Sequence, residues 1–157
     1  PKKGRKHILL IIREIINFQP ESEGTNIDVA LQFLNNALKK KCTAFLLSDF
    51  IDSHNYFKSM SIANKKHDLA AIQLYDKRDV EMPDIGLVKF KDLETGKDMW
   101  IDTSSKSLRK DYAKNWYNRQ QLLVDMTSKS GVDLISVSTD EDFVKALLGM
   151  FKRRSGR

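Results

Sequence analysis

The sequence predicts an α/β fold, a parallel sheet with flanking helices and one antiparallel hairpin, on three observations. Short continuous apolar runs at residues 43–47, 69–75 and 132–137 have the look of strands buried on both faces, as in parallel sheets. Segments of helical periodicity alternate with them, the order of βαβ units. Between residues 83 and 103 the pattern changes. Two strand candidates, residues 86–91 and 99–102, flank Glu94-Thr95-Gly96, which is hairpin spacing around a Gly-containing loop.

The elements follow in order. Residues 7–18 form a dense apolar helix, stopped at Gln19-Pro20, and residues 21–24 are a loop. Ile27, Ala30, Leu31, Leu34 and Leu38 recur at helical spacing, predicting a helix to about Lys40. The strand at 43–47 runs into Ser48-Asp49-Phe50-Ile51-Asp52. Tyr56, Phe57, Met60 and Ile62 mark a helix to about Lys66, and the strand at 69–75 follows. After the hairpin, residues 104–128 form a long helix with Leu108, Tyr112, Trp116, Leu123 and Met126 on one side. The strand at 132–137 precedes Thr139 and Asp142, a capping-box pattern. Phe143, Val144, Leu147, Leu148 and Phe151 complete a last amphipathic helix. Three parallel strands are few for a doubly wound sheet, which has roughly five or six. The expectation is that N-terminal strands are missing and that residues 1–157 are the C-terminal portion of one domain.

Charge and cysteine content narrow the function classes. The net charge of +6 invites a nucleic-acid partner through basic termini. Eight of the cations lie at the two ends: Lys2, Lys3, Arg5 and Lys6, then Lys152, Arg153, Arg154 and Arg157. Without them, 19 basic residues face 21 acidic ones, so the body is not a basic platform and no nucleic-acid partner is expected. No apolar run approaches the roughly 20 residues of a membrane span; the longest, residues 8–12, meets Arg13 and Glu14. Cys42 is the single cysteine, which fits a reducing, cytoplasmic compartment and an inert packing role.

Ligands of open α/β sheets bind outside the carboxyl ends of the strands. Asp49 and Asp52 follow the strand at 43–47 directly, and Thr25 opens the helix that precedes it. Hydroxyl and carboxylate oxygens are hard donors that suit Mg²⁺, Mn²⁺ or Ca²⁺. The spacing leaves structural readings open as well: Thr25 as the N-cap of its helix, and Asp52 or Ser53 as the cap of the Tyr56 helix.

Gly24-Thr25-Asn26 opening a helix, then Leu46-Leu47-Ser48-Asp49-Phe50 ending a strand, resembles the second and third metal-ligand motifs of von Willebrand factor A domains. The chain as a whole resembles the C-terminal half of a bacterial group, domain-of-unknown-function family 58. Lys2-Lys3-Gly4-Arg5, Glu81-Met82-Pro83-Asp84-Ile85-Gly86-Leu87, Trp100-Ile101-Asp102-Thr103 and Ser138-Thr139-Asp140-Glu141-Asp142 carry that resemblance further. It implies a partial von Willebrand factor A-like (Rossmann-like) sheet and a metal-ion-dependent adhesion site. There Thr25 and Asp49 would ligate a divalent cation, with Ser48, Asp52 and Asn26 around them. It implies a protein-binding adaptor, not an enzyme, working with a MoxR-type AAA ATPase or its client in protein assembly. The first ligand motif of such sites, Asp-x-Ser-x-Ser, has no counterpart here; Asp102-Thr103-Ser104-Ser105 has the wrong spacing and place. The expectation is a fragment whose metal site is incomplete or vacant. The strand at 43–47, left without its usual neighbour, would then associate with another copy or a second fragment.

The remaining candidates have simpler readings. His7, His54 and His67 share no ligand spacing. His7 falls on a core helix, and His67 ends a helix at its dipole's negative end. Trp100 and Trp116 read as packing residues, and Asp140, Glu141 and Asp142 as the acidic first turn of the last helix. An alternative enzymatic reading has Asp49 and Asp52 holding Mg²⁺ for phosphoryl or phosphodiester chemistry. It lacks a Gly-rich phosphate loop, and no Ser–His–Asp or Cys–His pattern is present.

Overall fold

The structure, a computed structural model, describes residues 3–20, 24–91 and 96–155. Of the loop expected at residues 21–24 it describes only Gly24. Of Glu94-Thr95-Gly96 it describes only Gly96. Lys2 and Arg157 of the basic ends also lie outside the described residues. The elements run α1 (Arg5–Asn17), α2 (Ile27–Ala37), β1 (Thr43–Ser48), α3 (Phe57–Lys66), β2 (Asp68–Tyr75), α4 (Lys77–Val80), β3 (Leu87–Lys91), β4 (Asp98–Asp102), α5 (Lys106–Lys129), β5 (Asp133–Ser138) and α6 (Phe143–Ser155). β1, β2 and β5 form a parallel sheet with β2 in the middle, and β3 and β4 form a separate antiparallel pair. The α/β class expected from the sequence is the one observed. No helix among the described residues is long and apolar enough to cross a membrane.

Alternation along the strands sends side chains to two unequal layers. On one face Leu69 and Ala71 of β2, with Ala44, Leu46 and Leu134 beside them, pack under α2, α3 and α5 through Ile27, Leu31, Met60, Ala63 and Leu123. On the other face Ala70, Ile72, Ile135 and Val137 pack under Met150, Ala146 and Leu147 of α6. Arg154 of α6 bonds to Asp68 and Asp133, at the starts of β2 and β5.

The strand at 43–47 is not buried on both faces. Phe45 and Leu47 are 43% and 58% exposed. α6 lies over β2 and β5 and meets β1 through the edge-on contact of Phe45 with Phe151. β1 is also one of the sheet's two edge strands, the other being β5, with β2 on one side and no strand among the described residues on the other. The helix read at 7–18 is present as α1 but is not a core helix. None of its residues is buried, and Ile15 and Ile16 are 70% and 74% exposed. His7 therefore has no core role. An apolar sequence states what a helix is able to bury, and no part of the described residues covers it.

Other boundaries moved for local reasons. α2 stops at Ala37, where Leu38 turns extended, before Lys39-Lys40-Lys41. A short helix, α4, was not expected. Asp76 and Asp79 form a capping box around it, each carboxylate accepting a backbone N–H of the other's turn. Thr139 and Asp142 do not act as a box. The Thr139 hydroxyl donates to Asp76 Oδ2 at 2.9 Å, while Asp142 Oδ1 accepts from the Val144 N–H at 3.0 Å. The acidic run therefore precedes α6, which starts at Phe143, and is not its first turn.

Candidate functional site at the strand ends

The chain leaves β1 through a turn made by its own side chains. Ser48 Oγ accepts the Phe50 N–H and Asp49 Oδ1 accepts the Ile51 N–H, both at 3.0 Å. The Ser48 hydroxyl also lies 3.4 Å from Asp49 Oδ1. Between them Phe50 adopts φ 59°, in the left-handed region. For a bulky residue that costs about 1–3 kcal/mol and persists only where the surroundings over-determine it. Here the ring is buried against Tyr56, with centroids 6.3 Å apart. The result is an exposed Asp49 carboxylate whose Oδ2 takes no hydrogen bond among the described residues.

Asp52 has a different task. Its Oδ2 accepts the Ile27 N–H, the first of α2, at 2.7 Å. Its Oδ1 accepts the His54 N–H and faces His54 Nδ1, both at 2.7 Å. The side chain is fully enclosed. Burial pulls its pKa upward, but the His54 and Ile27 N–H donors and the His54 ring outweigh it and hold the carboxyl below its ordinary value. Neither Asp52 nor Ser53 caps the Tyr56 helix; the Phe57 N–H goes to Asn55 Oδ1. Nor is Thr25 the cap of α2. Asn26 is, accepting from the Val29 N–H at 3.0 Å, and Thr25 is left on the surface.

These residues meet at one end of the sheet without forming one pocket. Thr25, Asn26, Asp52 and His54 line a groove of about 1080 Å³ with Phe33. Asp49 lines a cavity of about 30 Å³ with Gln73, Tyr75, Trp116 and Gln120. Ile51 is a wall of both. Asp52 and Asp49 share an electrostatic neighbourhood: after burial, their charges are what raise the Tyr56 pKa.

Sequence reasoning missed the polar network beneath Asp49. Ser136 donates to Gln73 Oε1 at 2.7 Å and accepts from the Gln120 amide at 3.0 Å. The available signal was a Gln and a Ser inside otherwise apolar strands. Trp100 is not packed, being 64% exposed, whereas Trp116 packs on Tyr75 with centroids 5.4 Å apart. His67 does sit at the C-cap of α3, where its N–H bonds to the Ala63 carbonyl. Its buried ring also presents Nδ1 to Cys42 Sγ at 3.4 Å.

A parallel sheet with helices on its faces and oxygen donors beyond its carboxyl edge defines an open α/β protein. Within that class the chain belongs to the family described as "Protein of unknown function DUF58", which it matches over residues 1–122. It is similar to uncharacterized proteins of Mycobacterium bovis and Mycobacterium tuberculosis, 29% identical over 147 residues. Those matches cover 91% of this chain and 45% of each relative, so the chain spans less than half the length of these curated relatives. An uncharacterized protein of Mycobacterium avium is 27% identical over 157 residues, covering 98% of this chain and 91% of that protein. No solved structure matches the chain.

Proposed function

We propose that the chain is part of a von Willebrand factor A-like, divalent-metal-dependent protein-binding module, an adaptor for a MoxR-type AAA ATPase or its client in the cytoplasm. One observation supports this most. The strained Phe50 turn presents Asp49 outward with one oxygen open, while the Thr25 hydroxyl is released from capping by Asn26. Strain at a strand end is commonly kept where it positions a functional group. Both groups are hard oxygen donors that suit Mg²⁺; they line different hollows that share Ile51, so a cation held by both would keep several waters. A bound cation would offer an open position to an acidic group of the partner. Ser48 would position Asp49, and Asp52 with Asn26 would fix the start of α2 beneath Thr25. With so few protein ligands the chain should bind Mg²⁺ weakly; tight binding by calorimetry would contradict that.

The phosphoryl-transfer alternative finds less support, because both Asp52 oxygens are engaged by Ile27 and His54. The nucleic-acid alternative is weakened at Arg154, which is bonded to Asp68 and Asp133. The edge of β1, which has no strand partner among the described residues, supports a strand-mediated association that continues the sheet. The deciding experiment is capture of a purified MoxR-type ATPase by the full-length protein in Mg²⁺ against EDTA. Capture should need Mg²⁺ and be lost on Thr25→Ala and on Asp49→Ala. Equal capture in EDTA refutes the metal-dependent reading.

A further inference from the structure

The start of the parallel sheet holds Cys42 and His67 side by side. Each stands one residue ahead of its strand, and the register pairs Thr43 of β1 with Asp68 of β2. The Asp68 N–H donates to the Cys42 carbonyl, and the His67 N–H donates to the Ala63 carbonyl at the end of α3, both at 2.8 Å. Sheet and helix thus fix both backbones, the kind of support that keeps a pair of side chains in register. Cys42 Sγ lies 3.4 Å from His67 Nδ1. The imidazole is enclosed, at 1% exposure, while Cys42 is partly open to solvent. Among the described residues the thiol is the hydrogen-bond partner of the ring, and the buried Nε2 has none. An apolar side chain would fill that place without the cost of an unpaired buried nitrogen. Inert packing of Cys42 leaves the enclosed imidazole unexplained. A buried polar group without a partner is kept in native folds for a reason, and a redox or catalytic role is one.

We infer that Cys42 and His67 form a reactive thiol–imidazole pair, a modification site that takes up small disulfides. His67 carries its proton on Nε2 and presents the Nδ1 lone pair to the thiol, the placing of a base beside a sulfur nucleophile. As the Cys42 S–H proton passes to Nδ1, Sγ attacks one sulfur of the disulfide. The Sγ–S bond forms, the S–S bond of the reagent breaks, and the departing thiolate recovers the proton from His67. The chain has no second cysteine, so the product stays a mixed disulfide until an external thiol reverses it. The pair lies at the amino end of β1, whereas Asp49 follows its carboxyl end, a strand of six residues or about 20 Å away. It needs no metal and is independent of Thr25 and Asp49.

The test treats the full chain with 2-hydroxyethyl disulfide, a small uncharged reagent, and follows the adduct by intact-mass spectrometry. Cys42 is the one cysteine, so every mixed disulfide reports this site. The reaction is run at neutral pH and high salt, which screens the lysines at positions 39–41. The folded chain should react about tenfold faster, or more, than the same chain unfolded in urea, where the thiol has no base beside it. An inert packed thiol gives the opposite order, because burial slows it. His67→Gln keeps a polar side chain without a base, and should bring the folded rate to the unfolded rate or below. Dithiothreitol should reverse the adduct. Equal or slower reaction of the folded chain would overturn the inference. So would an undiminished rate in a His67→Gln chain whose far-ultraviolet circular dichroism is native. If that variant does not fold, the folded-to-unfolded ratio of the unaltered chain decides by itself.

Discussion

At the scale of single residues, the strand end separates groups that build the turn from groups left free by it. Asp52 belongs to the first kind. Its folded pKa is held below the ordinary aspartate value of 3.8, so its stabilisation is present above that pH and is lost as the pH falls through the folded value. Asp52→Ala should cost about 1 kcal/mol at neutral pH, the usual worth of a helix-end acceptor. The gap between the two melting curves should close in acid, below about 3.8. A gap that stays constant however far the pH is lowered would show that Asp52 acts by packing and not by charge. Thr25 and Asn26 supply the complementary comparison. Asn26→Ala removes the cap of α2 and should cost about 1 kcal/mol. Thr25→Ala removes an exposed hydroxyl and should leave thermal stability within about 0.5 kcal/mol. Both residues were visible in Gly24-Thr25-Asn26, and either could cap. Only the direction of the chain entering α2 assigned the role to Asn26.

At the scale of elements, helices and strands were legible wherever periodicity was dense, and misjudged where burial depended on a neighbour. β2 reads apolar and is buried on both faces; β1 reads the same and is half open. The difference lies in position, central against edge, which no local pattern carries. α3 is fixed by the core: Met60 is fully buried against α2, β2 and α5. Met60→Ala should cost about 2–5 kcal/mol in chemical denaturation; a loss under about 1 kcal/mol would mean the site collapses around the cavity. α1 should behave oppositely. Ile15→Lys/Ile16→Lys changes two exposed side chains and should leave the denaturation midpoint unaltered, while improving solubility. A large loss of stability would show that α1 packs in solution. α4 escaped notice because four residues carry no periodicity; only the Asp76–Asp79 spacing announced it.

At the scale of the whole molecule, the sheet has two edge strands, β1 and β5, whose faces are covered unequally. β5 is followed by α6, which folds back over a face of β5 and β2, while β1 exposes Phe45 and Leu47 and has no strand beyond it among the described residues. Self-association through that edge should appear in light scattering as mass rising with concentration, and Phe45→Lys/Leu47→Lys should abolish it. A monodisperse monomer at all concentrations would count against an edge-mediated contact. The sequence by itself determined the α/β class, the hairpin, the order of elements and the placing of Asp49 and Thr25 near strand ends. Those follow from side-chain periodicity and turn chemistry, which act over a few residues. Only the tertiary structure decided which strands lie at the edges, that α1 contains no buried residue, that Asp52 serves α2 from 25 residues away, and that Thr25 and Asp49 line different hollows. Each of these depends on which distant segment fills the space beside a residue, and local pattern holds no record of that.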